Sequence, residues 1–175
     1  MKKTIFFILI FFSIFFLFFT NHSEESNYLE IAKSKISQFN PIRKDYVIVI
    51  DFRKNLLSER LFVLDMNTKK IIISGKVTHA YNSGLLYATK FSNRPSSEMS
   101  SYGTFITKNV KFGKYGYSMV VDGLEKNIND NCKKRAILFH KTSVLWSKGC
   151  FATNQKLNQK IIDLTHDGCI VFVIR

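Results

Sequence analysis

The sequence predicts a mainly β domain, a β-sandwich or barrel-like pair of sheets carrying one or two short helices, behind an apolar N-terminal segment. Three observations lead there. Short β-branched and aromatic runs recur between turn residues from Tyr46 to the C-terminus, helical periodicity is confined to two stretches, and no period of 20–50 residues repeats. The chain has 175 residues, which favours one domain, and its 46% apolar and 14% aromatic content excludes a disordered polymer. Two prolines and no glycine repeat exclude a collagen-like or linker-dominated chain.

Lys2 and Lys3 lead an apolar run from Ile5 to Phe19, broken only by Ser13, and eight of the 17 phenylalanines fall in the first 20 residues. A positive start followed by roughly 7–15 apolar residues is the pattern of a secretory signal. As a helix the run rises only about 22 Å, short of a ~30 Å hydrocarbon core. Residues 1–20 are therefore read as a signal peptide or, uncleaved, as a membrane anchor, with the remainder outside the cytoplasmic membrane. Residues 21–175 keep 24 Lys+Arg against 13 Asp+Glu, an excess of 11. That charge suits lipid headgroups, cell-wall polymer or nucleic acid, and export argues against nucleic acid.

Residues 24–39 carry Leu29, Ala32, Ile36 and Phe39 at helical spacing, with Glu24 and Glu25 at the end where negative charge is favoured. Asn40-Pro41 ends this helix, and residues 21–45 form a helical lead-in to a domain spanning 46–175. Strands are predicted at Tyr46–Phe52, Arg60–Asp65 and Lys70–Thr78, the last two joined by a hairpin at residues 66–69. Residues 79–102 hold Gly84, Pro95 and six serines, a long irregular connection of the kind that usually serves function. Strands resume near Gly103–Lys108, Tyr117–Asp122 and Arg135–His140. Leu157, Ile161 and Leu164 then mark a helix capped by Thr153-Asn154, and Asp167-Gly168 turns the chain into a final apolar strand, Cys169–Arg175.

Three cysteines leave at least one thiol free of internal pairing. Cys169 falls in the apolar last strand and is expected in the core, and Cys132 lies in an exposed-looking polar turn. Cys150 follows Ser147-Lys148-Gly149. Glycine lets backbone approach a substrate closely, and a helix starting three or four residues later is expected to lower the thiol's pKa from about 8.5. A thiol nucleophile needs a base, and His140, at the end of the apolar strand Arg135–Phe139, is the best placed of four histidines. Such a pair suits acyl transfer, with backbone N–H groups stabilising the oxyanion. A buried cysteine and a structural histidine is the alternative reading. No tight Cys-x-x-Cys or His-x-x-x-His spacing supports a metal site.

From Val47 to Phe172 the chain resembles the murein L,D-transpeptidase catalytic domain family of bacterial cysteine enzymes. The resemblance is carried by Asp51-Phe52, Ser58-Glu59-Arg60-Leu61, Val77-Thr78-His79-Ala80 with Ser83-Gly84, and Ser100-Ser101-Tyr102-Gly103. It continues through Gly113-Lys114-Tyr115-Gly116-Tyr117-Ser118 and Asn127-Ile128-Asn129-Asp130-Asn131, and ends in Arg135…His140…Ser147-Lys148-Gly149-Cys150. It implies an exported β-rich enzyme, in the periplasm or on the outer face of the cytoplasmic membrane, that acts on peptidoglycan stem peptides without metal or organic cofactor. Cys150 would be the nucleophile and His140 its base. Ser147 and Gly149 would frame the oxyanion hole, and His79, Tyr102 and Ser101 would bind substrate. The family usually has Gly-Ala where this chain has Lys141-Thr142, and Arg-Ser-Trp-Gly-Cys-Pro where it has Trp146–Phe151, with a longer loop between. These departures motivate two alternatives: a wall-peptide-binding domain with little turnover, or an L,D-carboxypeptidase.

Overall fold

The structure is a computed structural model describing residues 23–175; the apolar run read as an export signal or anchor lies outside them. The mainly β class holds. Its layers come from one continuous eight-stranded sheet, in the order β3-β2-β1-β10-β5-β6-β7-β9, that curls over a helix. In chain order these are β1 (Tyr46–Asp51), β2 (Leu61–Asp65), β3 (Lys70–Gly75), β5 (Gly103–Gly113), β6 (Gly116–Gly123), β7 (Leu138–Lys141), β9 (Phe151–Thr153) and β10 (Ile170–Ile174). A second sheet pairs β4 (His79–Ala80) with β8 (Trp146–Ser147). The two helices are α1 (residues 23–39) and α2 (Gln155–Thr165). No helix among the described residues is long and apolar enough to cross a membrane.

β1 shows why the layers form. Its Val47 and Val49 pack with Tyr28 and Ala32 of α1, while Ile48 and Ile50 pack on the other side with Ile161 and Ile162 of α2. Covered on both faces, the strand is almost wholly apolar, as alternation of successive side chains requires. β1 runs parallel to β10 and antiparallel to β2. Tyr28 stacks on Phe62 at 4.9 Å and donates its hydroxyl to Asp51 at 3.0 Å. Burial opposes the charge on Asp51, but hydrogen bonds from Arg53 and Tyr28 outweigh it and hold the carboxyl below its ordinary range. α1 therefore docks as part of the domain, with Asn40 at positive φ ending it.

The predicted turns and caps reappear. Asp65 accepts from the N–H groups of Asn67 and Thr68 and shapes the β2–β3 turn. Asn154 accepts the Leu157 N–H at 2.9 Å, capping α2. Three short strands, β4, β8 and β9, were not foreseen. Residues 135–137 do not form the start of β7; they close a turn in which Ala136 takes a positive φ, and the strand begins at Leu138.

Replacing the α2 cap, Asn154→Ala, is expected to lower stability by about 1 kcal/mol, read as a lower urea midpoint at unchanged slope. The stability from Asp51 is complete above the ordinary carboxylate pKa of about 3.9 and is lost as pH falls below it towards the folded value. Asp51→Asn should therefore flatten the acid limb of the urea midpoint plotted against pH.

Candidate active site

The site is set by the register of two strands. β7 and β9 run parallel, with Phe139 opposite Phe151, and both rings enter the core 5.1 Å apart. Cys150 precedes Phe151 and His140 follows Phe139. Alternation along extended backbone sends both side chains to the face away from the phenylalanines. There they line one open cavity of about 600 Å³ together with Tyr81, Tyr115, Trp146 and Lys148.

His140 is only 8% exposed. Its Nδ1 lies 2.8 Å from the carbonyl oxygen of Lys141. A carbonyl only accepts, so Nδ1 carries the hydrogen and the neutral ring keeps its lone pair on Nε2. Tyr115, at the tip of the β5–β6 hairpin, stacks on the imidazole at 4.4 Å. The Cys150 Sγ–H is directed at the Ala136 carbonyl, 3.6 Å away, and not at the imidazole. The structure thus brings thiol and ring to one cavity without a hydrogen bond between them.

Burial pushes the Cys150 thiol up from its ordinary value, partly offset by the Leu138 N–H and by the Arg135 guanidinium. The sequence led us to expect a lowered value from the following helix. That helix starts at Gln155, beyond its cap Asn154, and desolvation dominates. Arg135 donates to the carbonyls of Ser92 and Met99 and to the Ser101 hydroxyl. A Cβ on Gly149 would sit 3.1 Å from its Nη2, and Gly149 takes a φ of +124°, so the turn accepts only glycine comfortably.

Of the other expected site residues, Ser147 lines the cavity and Gly149, His79, Ser101 and Tyr102 do not. The Gly149 N–H is donated to the Ser147 hydroxyl at 3.1 Å, which itself donates to the Cys150 carbonyl at 2.8 Å. These bonds lock the turn and engage the Gly149 N–H within it. None of the three expected substrate binders lines the cavity. His79 is fully buried, its Nδ1 accepting from Arg60 at 3.0 Å and its Nε2 donating to the Gly84 carbonyl at 2.8 Å. Ser101 is buried against Arg135, and Tyr102 lies between Phe91 and the guanidinium of Arg175. Cys132 is buried as well, its thiol donating to the Val121 carbonyl at 3.1 Å, and burial pushes it up to about 12. Cys169 is in the core as expected, pushed up to about 11 by burial. Sequence reasoning missed Tyr115 as a wall of the site. The signal was Gly113-Lys114-Tyr115-Gly116, a two-residue hairpin turn that puts an aromatic ring at its tip.

A family model described as the L,D-transpeptidase catalytic domain matches residues 21–174. No curated protein matches the sequence. Among solved structures, the Ldtfm–avibactam carbamoyl enzyme superposes with a TM-score of 0.50 at 12% identity, over 75% of this chain and 49% of that one. A cysteine-to-serine mutant of the Enterococcus faecium L,D-transpeptidase gives 0.49 at 13% identity, covering 74% and 50%. An L,D-transpeptidase from Mycobacterium smegmatis gives 0.48 at 10%, covering 75% and 59%. At such identities the likeness is one of fold, and the chain spans about half the length of the first two structures.

One thiol of three should react with an aromatic disulfide reagent in the native protein, and all three in guanidinium, because Cys132 and Cys169 are in the core. Alkylation of Cys150 should still be rising with pH above the ordinary thiol pKa of about 8.5. Arg135→Gln should move that profile further up, slowing alkylation several-fold near neutrality.

Proposed function

Because the chain belongs to the L,D-transpeptidase catalytic domain family, we propose that it is an exported cysteine acyltransferase acting on peptidoglycan stem peptides, with Cys150 as nucleophile and His140 as base. The observation that carries this reading is the pair itself: a half-buried thiol and an imidazole with a free Nε2 on one wall of one cavity. In the proposed division of the chain, residues 1–20 are a signal peptide or anchor, 21–45 the helical lead-in and 46–175 the catalytic domain.

Rotation of the Cys150 side chain would exchange the Ala136 carbonyl for His140. Nε2 then takes the Sγ proton, and the thiolate attacks the carbonyl carbon of the peptide bond from the L- to the D-centre before the terminal D-Ala. The Lys141 carbonyl, bonded to Nδ1–H, orients the ring and faces the positive charge it acquires. As the tetrahedral intermediate collapses, the C–N bond breaks. The imidazolium gives its proton to the departing amine, leaving a thioester on Cys150. A side-chain amine of a second stem attacks that thioester, His140 takes the amine proton, and Sγ leaves to be reprotonated. Water in place of the amine would make the reaction an L,D-carboxypeptidation. The Ala136 hydrogen bond and the raised thiol favour a second reading, in which the cavity binds wall peptides with little turnover.

Intact-mass measurement after exposure to a stem tetrapeptide tests the choice. The first reading expects a mass gain equal to the peptide less D-Ala, absent in Cys150→Ala and formed about 10²–10⁴ times more slowly in His140→Ala. Saturable binding to sacculi with no adduct at any pH would instead support the second, and an adduct on Cys150→Ala would remove both.

A further inference from the structure

Exposed large apolar side chains gather on one side of this molecule. Of the eleven among the described residues, six are Leu57, Leu85, Leu86, Tyr87, Val144 and Leu145, and Tyr81 adjoins them. Hydrogen bonds join the segments that carry them. The Leu56 N–H is donated to the Leu86 carbonyl at 2.8 Å, and the Trp146 indole N–H to the Leu85 carbonyl at 3.0 Å. Tyr81 meets Trp146 edge to face at 6.1 Å. A cavity of about 320 Å³ opens between Leu56, Leu57, Val144 and Leu145, with Lys76 on its wall. Contiguous apolar surface of this kind marks an interaction site more often than chance exposure.

Its position says what it meets. Lys54, three residues before Leu57, pairs at 2.6 Å with Glu24 near the start of the described chain. Glu24 follows the apolar run Ile5–Phe19 by five residues. The described chain therefore begins beside the loop that carries Leu57, and the cavity holding Cys150 adjoins this face on the other side, sharing Thr142, Ser143 and Val144. Leucines flanked by tyrosine, tryptophan and lysine are the chemistry of the lipid–water boundary. Leucine enters the acyl region, aromatic rings sit at headgroup level, and lysines meet anionic phosphates.

We propose that the face formed by Leu57, Leu85–Tyr87 and Val144–Trp146 lies in the headgroup boundary of an anionic phospholipid bilayer, so that the Cys150 cavity opens at the membrane surface. From the proposed function this takes only the anchor alternative for residues 1–20, and it is independent of the chemistry at Cys150.

Trp146 is the only tryptophan in the chain, so its fluorescence reads this face directly. The full chain is inserted in phosphatidylglycerol-rich vesicles whose acyl chains are brominated. Bromolipid should quench Trp146 at least about twofold and shield it from aqueous acrylamide, and quenching should weaken in zwitterionic phosphatidylcholine. Leu85→Glu with Leu145→Glu should abolish quenching at unchanged thermal unfolding, and Leu57→Glu alone serves if the pair misfolds. Absence of bromolipid quenching in the wild type, or its persistence in the glutamate variants, overturns the proposal. So does a blue shift that depends on protein concentration without lipid, which would give the face to a second copy. Thioester formation measured in detergent on the same samples tests the Cys150 reading separately.

Discussion

The pairing of β7 with β9 is the constraint on which the site depends. Parallel neighbours ordinarily need a crossover of a dozen or more residues; here residues 142–150 make the return in nine. The return is possible because Trp146–Ser147 leaves the main sheet to pair with His79–Ala80, and because the Ser147 hydroxyl folds the next three residues into a closed turn. The Phe139–Phe151 contact then fixes the register. Slipping it by one residue would send Cys150 into the core and leave His140 alone in the cavity.

Two guanidiniums organise what the strands do not. Arg60 is fully buried, donates to the Val77 and Lys54 carbonyls and to His79, and lies 4.9 Å over the Phe52 ring. Desolvation pushes it down to about 10. Arg135 gathers Ser92, Met99 and Ser101 behind the turn that carries Cys150. Neither faces a carboxylate among the described residues, so each cation is stabilised by neutral acceptors alone, an arrangement that fails if any acceptor is lost. The long connection 79–102, poor in regular structure, is held at its two ends by these side chains.

Legibility in the sequence followed locality. β1, β2, β10, the turn at Asp65 and the Asn154 cap were readable because periodicity and short-range hydrogen bonding decide them. β4, β8 and β9 have two or three residues each, too few to show a period, and exist only through partners distant in sequence. That Cys150 and His140 share one cavity was readable by residue type and strand position. That His79, Ser101 and Tyr102 stand away from the cavity, and that Ser147 and Gly149 bond within their own turn, was not legible. His79 and Ser101 bond to guanidiniums that only tertiary structure supplies, and nothing in a residue's type reveals that its hydrogen bonds are already made. Cys132 misled for the converse reason: polar neighbours in the chain surround a thiol that the fold buries.

The distribution of sulfur carries its own consequence. With Cys132 and Cys169 sealed in the core and no cystine in the described structure, the fold owes nothing to oxidative cross-linking and is equally attainable in reducing and oxidising surroundings. Thiol oxidation is thereby focused on one atom. Peroxide would convert the Cys150 thiolate to a sulfenic acid while the scaffold stays intact, and no neighbouring cysteine could capture that species as a disulfide within the same molecule.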